Sequence, residues 1–241
     1  MERSAIIIWI RVPSPEANAK TRIGMSIGNQ DTANRLSLLL ARLAVENIKP
    51  LNLPLYLYHQ EISDDDAIRL AFGETFERHF VYQKDIHFMA NVHRSLQLLM
   101  GLGYRKAVLL VSDCPYLDRG YLERLLRELD AHDVVLQPAV DKGINAIGCS
   151  SDRLIYLPMM NAVSRSPGYN LLEELQAFLT SQRLSHVALN PPLPDIDSAE
   201  DVRELWGYLN RPSGAPRAEF SQAARELYNF LSEHQLEFNL T

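Results

Sequence analysis

Cysteine is scarce in this 241-residue chain: Cys114 and Cys149 are the only two, and neither stands in a Cys-x-x-Cys or Cys/His metal spacing. Two such thiols cannot build a disulfide framework, so a reducing, cytoplasmic compartment is expected. Positive charge is also short, with 24 Lys and Arg against 30 Asp and Glu and a net charge of −6. That balance offers no general field for nucleic acid or an anionic membrane surface, and any phosphate-bearing ligand must be met locally. Long apolar runs are missing as well. The run Ala5–Ile10 is ended by Arg11, far short of a signal h-region or of the roughly 18 apolar residues a membrane span needs. The glycine-rich phosphate loops are absent too. No G-x-G-x-x-G follows the first apolar run, and Lys20-Thr21 has Ser14 and Ala19 where a P-loop requires glycine.

What is present is the material of an ordinary globular core, 46% hydrophobic and 22% charged, which needs no structural metal. Ala5-Ile-Ile-Ile-Trp-Ile-Arg-Val12 is a β-branched run without alternation, the pattern of a strand covered on both faces. A polar stretch containing Gly24 and Gly28 follows. From about Asp31, Leu36, Leu39, Leu40, Leu43 and Ala44 fall at helical spacing and define one apolar face. The alternation continues with a strand over Leu53–His59, a short helix over Asp64–Leu70, a strand over Arg78–Tyr82 and a helix over His87–Met100. Next come a buried strand over Lys106–Ser112 and a helix capped by Asp118.

Repeated strand-then-helix order predicts a three-layer α/β/α fold with a mostly parallel sheet. Three strand-like runs, Asp133–Pro138, Ile144–Cys149 and Leu154–Leu157, lie too close together for helices between them and predict an antiparallel excursion. A helix from Pro167 to Leu179, a strand over His186–Leu189 and a helix over Ser198–Leu209, capped by Ser198 with Asp201, complete the pattern. Residues 1–210 are thus expected to form one nucleotide-binding domain, and residues 211–241 a linker and helical appendage. The appendage carries a stripe of Phe220, Ala224, Leu227 and Leu231 that should pack on the domain or on a second copy in a homodimer.

In an open parallel sheet, ligands bind beyond the carboxyl ends of the strands. Three segments there can carry chemistry. Lys20-Thr-Arg22 places two cations two residues apart after the first strand. Ser112-Asp-Cys-Pro115 ends a buried strand on a carboxylate, which suits a hard divalent cation held by one or two carboxylates plus substrate phosphates. Asp195-Ile-Asp-Ser-Ala-Glu-Asp201 leads two alternating carboxylates into a helix. Each also has a plain structural explanation: a solvated loop, a turn cap, and N-terminal helix acidity. Cys114 reads as a small packing residue rather than a nucleophile.

Together and in this order, the three segments resemble the nucleotide-diphospho-sugar transferase superfamily of glycosyltransferase-A fold. The similarity runs from about Ile6 to Leu209 and is greatest to a branch of bacterial glycosyltransferase-like proteins. The Gly-x-Asn-Ala portion of Pro138–Ile147 is similar instead to the phospholactate guanylyltransferases.

The resemblance implies a glycosyltransferase-A sheet and a metal-dependent transferase. Its substrate is a nucleoside triphosphate or nucleotide-activated sugar, and it performs nucleotidyl or glycosyl transfer. Asp113 and Lys20 are the implied catalytic residues. Arg11, Lys20, Arg22 and Ser112 are implied to bind the nucleotide, and Asp113 with Asp197 to hold Mg2+ or Mn2+. Asp141, Gly143 and Asn145 are placed on the acceptor side. Lys142 stands where the branch has glycine, and no glycine lies between Pro13 and Arg22. Those departures leave open a degenerate, non-catalytic nucleotide-binding or interaction protein of the same fold, and fold class alone also permits an unrelated Rossmann-like binding domain.

Overall fold

The computed structural model describes residues 3–13, 18–60, 72, 79–82, 88–150, 170–210 and 221–240. The expected helix over Asp64–Leu70 and strand over Leu154–Leu157 lie outside these residues, as do Phe220 and the linker before it.

The described strands are β1 (Ser4–Trp9), β2 (Leu55–Gln60), β3 (His79–Tyr82), β4 (Lys106–Val111), β5 (Val134–Pro138), β6 (Ile144–Ser150) and β7 (His186–Ala188). They form one sheet in the order β3-β2-β1-β4-β6-β5-β7. β6 runs antiparallel to both of its neighbours, while the other pairings are parallel. Among the described residues the antiparallel excursion is a single strand, inserted between β4 and β5.

The unbroken apolar run of β1 is explained by helices on both faces. Ile6 and Ile8 pack with Ala41, Val45 and Ile48 and with Leu122 and Leu125. Ile7 packs on the opposite side with Val92, Leu96 and Leu99 and with Leu175 and Leu179. The elements concerned are α2 (Gln30–Ile48) and α4 (Arg119–Glu128) on one face, and α3 (Phe88–Gly101) and α5 (Leu171–Ser181) on the other. Ala5, Ile6, Ile7 and Ile8 are all completely buried. The structure is the expected three-layer α/β/α arrangement.

Two local expectations need correction. The polar stretch before Asp31 is not all loop, because Thr21–Ile27 forms a short helix, α1, ended by Gly28 in the left-handed region at φ 70°. α2 also has two apolar faces rather than one. Ala41, Ala44, Val45 and Ile48 face the sheet, whereas Leu36, Leu39, Leu40 and Leu43 meet an outer layer. That layer comprises α6 (Ala199–Leu209), α7 (Gln222–Glu233) and α8 (Gln235–Phe238). Asp118 and Ser198 cap α4 and α6 as expected, Ser198 in a reciprocal box with Asp201. Asn29 caps α2 by accepting from the Thr32 N–H at 3.1 Å.

The C-terminal helix α7 packs on its own chain. Leu227, Phe230 and Leu231 are buried in the outer core with residues of α2, and the Ala223 N–H donates to Glu46 Oε2 at 3.0 Å. Phe230 also packs against Phe238, ring centroids 6.4 Å apart. Truncating a buried Phe costs the lost transfer energy plus a cavity term. Phe230→Ala is expected to lower unfolding stability by about 3 to 5 kcal/mol, read as a shift of the urea midpoint at unchanged slope.

Candidate functional site

Strand order determines where the site sits. The chain leaves β1 for β2 and β3 on one side, then returns to place β4 on the other. A crevice opens where the direction of winding reverses, above the carboxyl ends of β1 and β4. Trp9 pairs with Val111 there, and the Ser112 N–H donates to the Trp9 carbonyl at 3.2 Å. A cavity of about 310 Å3 lies above this pair, lined by Trp9, Arg11, Ala19, Lys20, Thr21, Arg22, Ser37, Val111, Ser112, Asp113 and Asp197.

Lys20 stands at its centre. Its ammonium donates to Asp113 Oδ2 at 2.7 Å and to Asp197 Oδ1 at 2.9 Å, although these residues are separated in sequence by 93 and 177 positions. Arg22 Nη2 donates to the other oxygen of Asp197. The Lys20 side chain is only 9% exposed, against 30% and 31% for the two carboxylates and 72% for Arg22.

The backbone places Lys20 without help from glycine. Lys20 takes a left-handed conformation at φ 50°, which costs a non-glycine residue about 1 to 3 kcal/mol and persists only where its surroundings enforce it. The enforcing contacts come from α2. The Ala19 N–H donates to Asn34 Oδ1 at 2.9 Å, and Gln30 Nε2 donates to the Ala19 carbonyl at 2.7 Å. Gln30 reaches Ala19 across Gly24, where a Cβ would come within 2.4 Å of its side-chain oxygen. The glycine missing from the loop is thus replaced by one in the following helix, which lets a side chain pin the turn.

Asp197 is positioned by the opposite end of the fold. Ile196 is completely buried, and its N–H donates to the Asp113 carbonyl at 2.9 Å, bringing the two segments side by side. The Asp197 N–H donates in turn to Asp201 Oδ2 at 3.0 Å, an extension of the α6 cap.

Electrostatics follow the geometry. Burial by itself would lower the Lys20 pKa, but Asp113 and Asp197 hold it above its ordinary value. Burial would likewise raise Asp197, but Lys20, Arg22 and Arg11 together hold it below the usual carboxylate range. Among the described residues no cation is a leading influence on Asp195. Burial first, then the charges of Asp141, Asp197 and Asp113, push it up to about 6. Burial also pushes the Cys114 thiol up to about 12, which suits a packing residue and not a nucleophile.

Of the residues expected at the site, Arg11, Lys20, Arg22, Ser112, Asp113 and Asp197 line one cavity. Asp141, Gly143 and Asn145 are not among its lining residues. Asp141 Oδ1 accepts from the Gly143 N–H at 2.8 Å. The buried Asn145 amide donates to the Leu193 carbonyl at 2.7 Å, a tie between β6 and the segment entering Asp195. Sequence reasoning missed Trp9 and Ser37 as cavity walls. Trp9 was legible as a large aromatic at the carboxyl end of a central strand, and Ser37 as a hydroxyl within the apolar run of α2.

Two carboxylates converging on one cation, open to a cavity with room for phosphate, fit a hard divalent ion that keeps waters and takes substrate oxygens as further ligands. The Lys20 ammonium is a stand-in cation at that point. Among the described residues no group of three or more His, Cys, Asp or Glu forms an all-protein cage.

Comparison with solved structures gives the same architecture. A protein from Desulfovibrio desulfuricans G20, described as a nucleotide-diphospho-sugar transferase, matches 99% of this chain over 98% of its own at 22% identity and a TM-score of 0.83. The chain has the fold of the nucleotide-diphospho-sugar transferases. A cytidylyltransferase from Leptospira borgpetersenii shares the fold over 100% of this chain and 98% of its own, at 14% identity and a TM-score of 0.56. The Rv0371c protein of Mycobacterium tuberculosis, solved with manganese, matches 85% of this chain and 98% of its own, at 14% identity and a TM-score of 0.50. The family described as "uncharacterized protein conserved in bacteria (DUF2064)" matches residues 45–161, a span that holds Asp113 but not Lys20 or Asp197. No curated protein matches the sequence. Among the described residues no helix is long and apolar enough to cross a membrane.

Asp195 yields a pH-dependent expectation. With its folded pKa near 6 and an ordinary value of 3.8, the folded state binds the proton more tightly than the unfolded state. Stability attributable to this group therefore falls as pH rises from about 4 to about 6. In chelator-treated buffer, Asp195→Asn should melt above wild type at pH 7, and the difference should vanish near pH 4. Equal melting temperatures at both pH values would contradict the burial of this charge.

Proposed function

We propose that the chain is a metal-dependent transferase that takes a nucleoside triphosphate and transfers its nucleotidyl group. The supporting observation is the convergence of Arg11, Lys20 and Arg22 with Asp113 and Asp197 on one cavity at the switch point of the sheet. A protein of net charge −6 that gathers three cations around one crevice is built to meet concentrated negative charge there. A triphosphate matches three cations and a divalent ion better than a neutral sugar does.

In this reading Asp113 and Asp197 hold a magnesium or manganese ion, which when bound supplies Lewis-acid charge at the reacting phosphate. Lys20 and Arg22 take up the charge that develops on the departing diphosphate, an electrostatic role that requires donors already in place. Arg11 lies on the same side and adds to that field. Trp9 lines the cavity and offers a planar base contact area.

The same residues would serve a nucleotide-activated sugar, because a departing nucleoside diphosphate develops similar charge. The supporting observation for that second reading is the end-to-end match to a fold described for nucleotide-diphospho-sugar transfer. The products separate the two. Incubation with each nucleoside triphosphate or sugar nucleotide, manganese and a panel of phosphate- and hydroxyl-bearing acceptors should release inorganic diphosphate in the first case and nucleoside diphosphate in the second, with the nucleotidyl or glycosyl group carried to the acceptor. Binding without either product would identify a non-catalytic nucleotide-binding protein, and no binding would remove the reading.

Trp9 supplies a direct binding signal. The other tryptophan, Trp206, stacks on Tyr228 with ring centroids 5.1 Å apart and does not line the cavity. Nucleotide should quench fluorescence in wild type, and Trp9→Phe should lose the response. Arg22→Ala should weaken nucleotide binding by about 1.5 to 3 kcal/mol, the scale of a hydrogen bond to a charged group. Its melting should barely move, because an exposed ion pair contributes only about 0 to 1 kcal/mol. Calorimetric titration beside a melting curve measures both, and equal affinity in the two proteins would take this loop out of the site.

A further inference from the structure

The Lys20 ammonium occupies the point at which Asp113 and Asp197 converge. A divalent ion bridging the same oxygens must sit there instead, since magnesium requires oxygens at about 2.0 to 2.1 Å and the ammonium already donates to both carboxylates at 2.7 and 2.9 Å. The charge is also balanced in advance. Two carboxylates face Lys20 and Arg22, so the pair presents little net attraction to a free cation.

We propose that Lys20 is a resident placeholder for the divalent cation: in the free protein it holds Asp113 and Asp197 together and excludes metal, and it yields only when nucleotide phosphate offers the ammonium another anionic partner. This rests on the reading of Asp113 and Asp197 as the cation-holding pair and adds an order to it, with metal and nucleotide entering together. The loop geometry makes the exchange a side-chain movement. Ala19 is anchored through both its N–H and its carbonyl to Asn34 and Gln30, so the backbone at Lys20 stays where it is while the ammonium turns. Arg22, in the first turn of α1 and mostly exposed, offers a phosphate a second cation beside the ammonium.

Removing the ammonium has a definite consequence. Two half-buried carboxylates would be left facing one another with only the exposed Arg22 guanidinium on the far oxygen of Asp197, and like charges at such a site are relieved by a proton or by a metal ion. The test is a titration with Mn2+ alone, following free ion by its paramagnetic resonance signal, at fixed pH near 7.5 and constant ionic strength. Wild type should bind Mn2+ weakly. Lys20→Met should bind it at least tenfold more tightly, and combining it with Asp197→Asn should abolish the gain. Lys20→Arg, which keeps the positive charge, should stay near wild type. Lys20→Gln serves as a second neutral variant should the Met variant melt too low to titrate.

Mn2+ affinity in both neutral variants that is equal to or weaker than wild type would overturn the proposal. After subtraction of the Mn2+ that the nucleotide alone chelates, a non-hydrolysable nucleoside triphosphate should also tighten Mn2+ binding to wild type by at least tenfold while barely affecting it in Lys20→Met. If the neutral variants gain no Mn2+ affinity while wild type still binds metal and nucleotide together, the placeholder fails and the proposed function stands. If they do gain affinity while no nucleotide binds under any condition, Lys20 excludes metal as inferred and the transferase reading fails.

Discussion

Complete burial of β1 between two helical layers is the constraint on which the other features depend. A strand with isoleucine on both faces must lie inside the sheet, covered by helices on both sides and flanked by a strand at each edge. β2 and β4 do so, and because they are reached by opposite windings a crevice forms above the β1 and β4 ends. The polar residues that follow these strands therefore have no choice but to meet there. Arg11 follows β1 and Asp113 follows β4; neither could be moved without breaking the burial of Ile6, Ile7 and Ile8.

The second constraint is electrostatic. Lys20 is almost enclosed, and an enclosed ammonium is tolerable only beside opposite charge. Two carboxylates from distant segments provide it. Such a cluster is weak evidence for stability, because desolvation of three ionised groups offsets much of their attraction. Its left-handed backbone at Lys20 carries a further cost. A costly arrangement enforced by Asn34, Gln30 and a glycine placed to let Gln30 pass is better understood as preparation for a ligand.

Much of this was legible in the residues. The apolar run of β1, the helical spacing on α2 and the caps at Asp118 and Ser198 each reflect a local preference, and each formed close to where it was expected. Lys20, Asp113 and Asp197 were identifiable from their positions after strands and before a helix. The short helix α1 was not, because it is only seven residues long, with Gly24 inside it and Gly28 ending it, and local propensity there is overridden by the contacts of Gln30 and Asn34. The second apolar face of α2 was obscured because the stripe that reaches the sheet and the stripe that reaches α7 overlap in sequence. Phe230 was missed for a related reason: it lies beside the stripe of Leu227 and Leu231 and is buried only because α8 folds back with Phe238.

The sequence by itself determined the layer architecture, since periodicity and burial demand are properties of each segment, and it determined which side chains could carry charge. Tertiary structure decided which of those charges meet. Asp113 and Asp197 share one ammonium because Ile196, buried in the outer core, bonds through its N–H to the Asp113 carbonyl, whereas Asp195 is left among other carboxylates. Asn145 spends its amide on the Leu193 carbonyl rather than facing the cavity. No local pattern distinguishes these fates, because coulombic interaction and desolvation depend on distances through space, and those are set only when the sheet closes and its loops are brought to one edge.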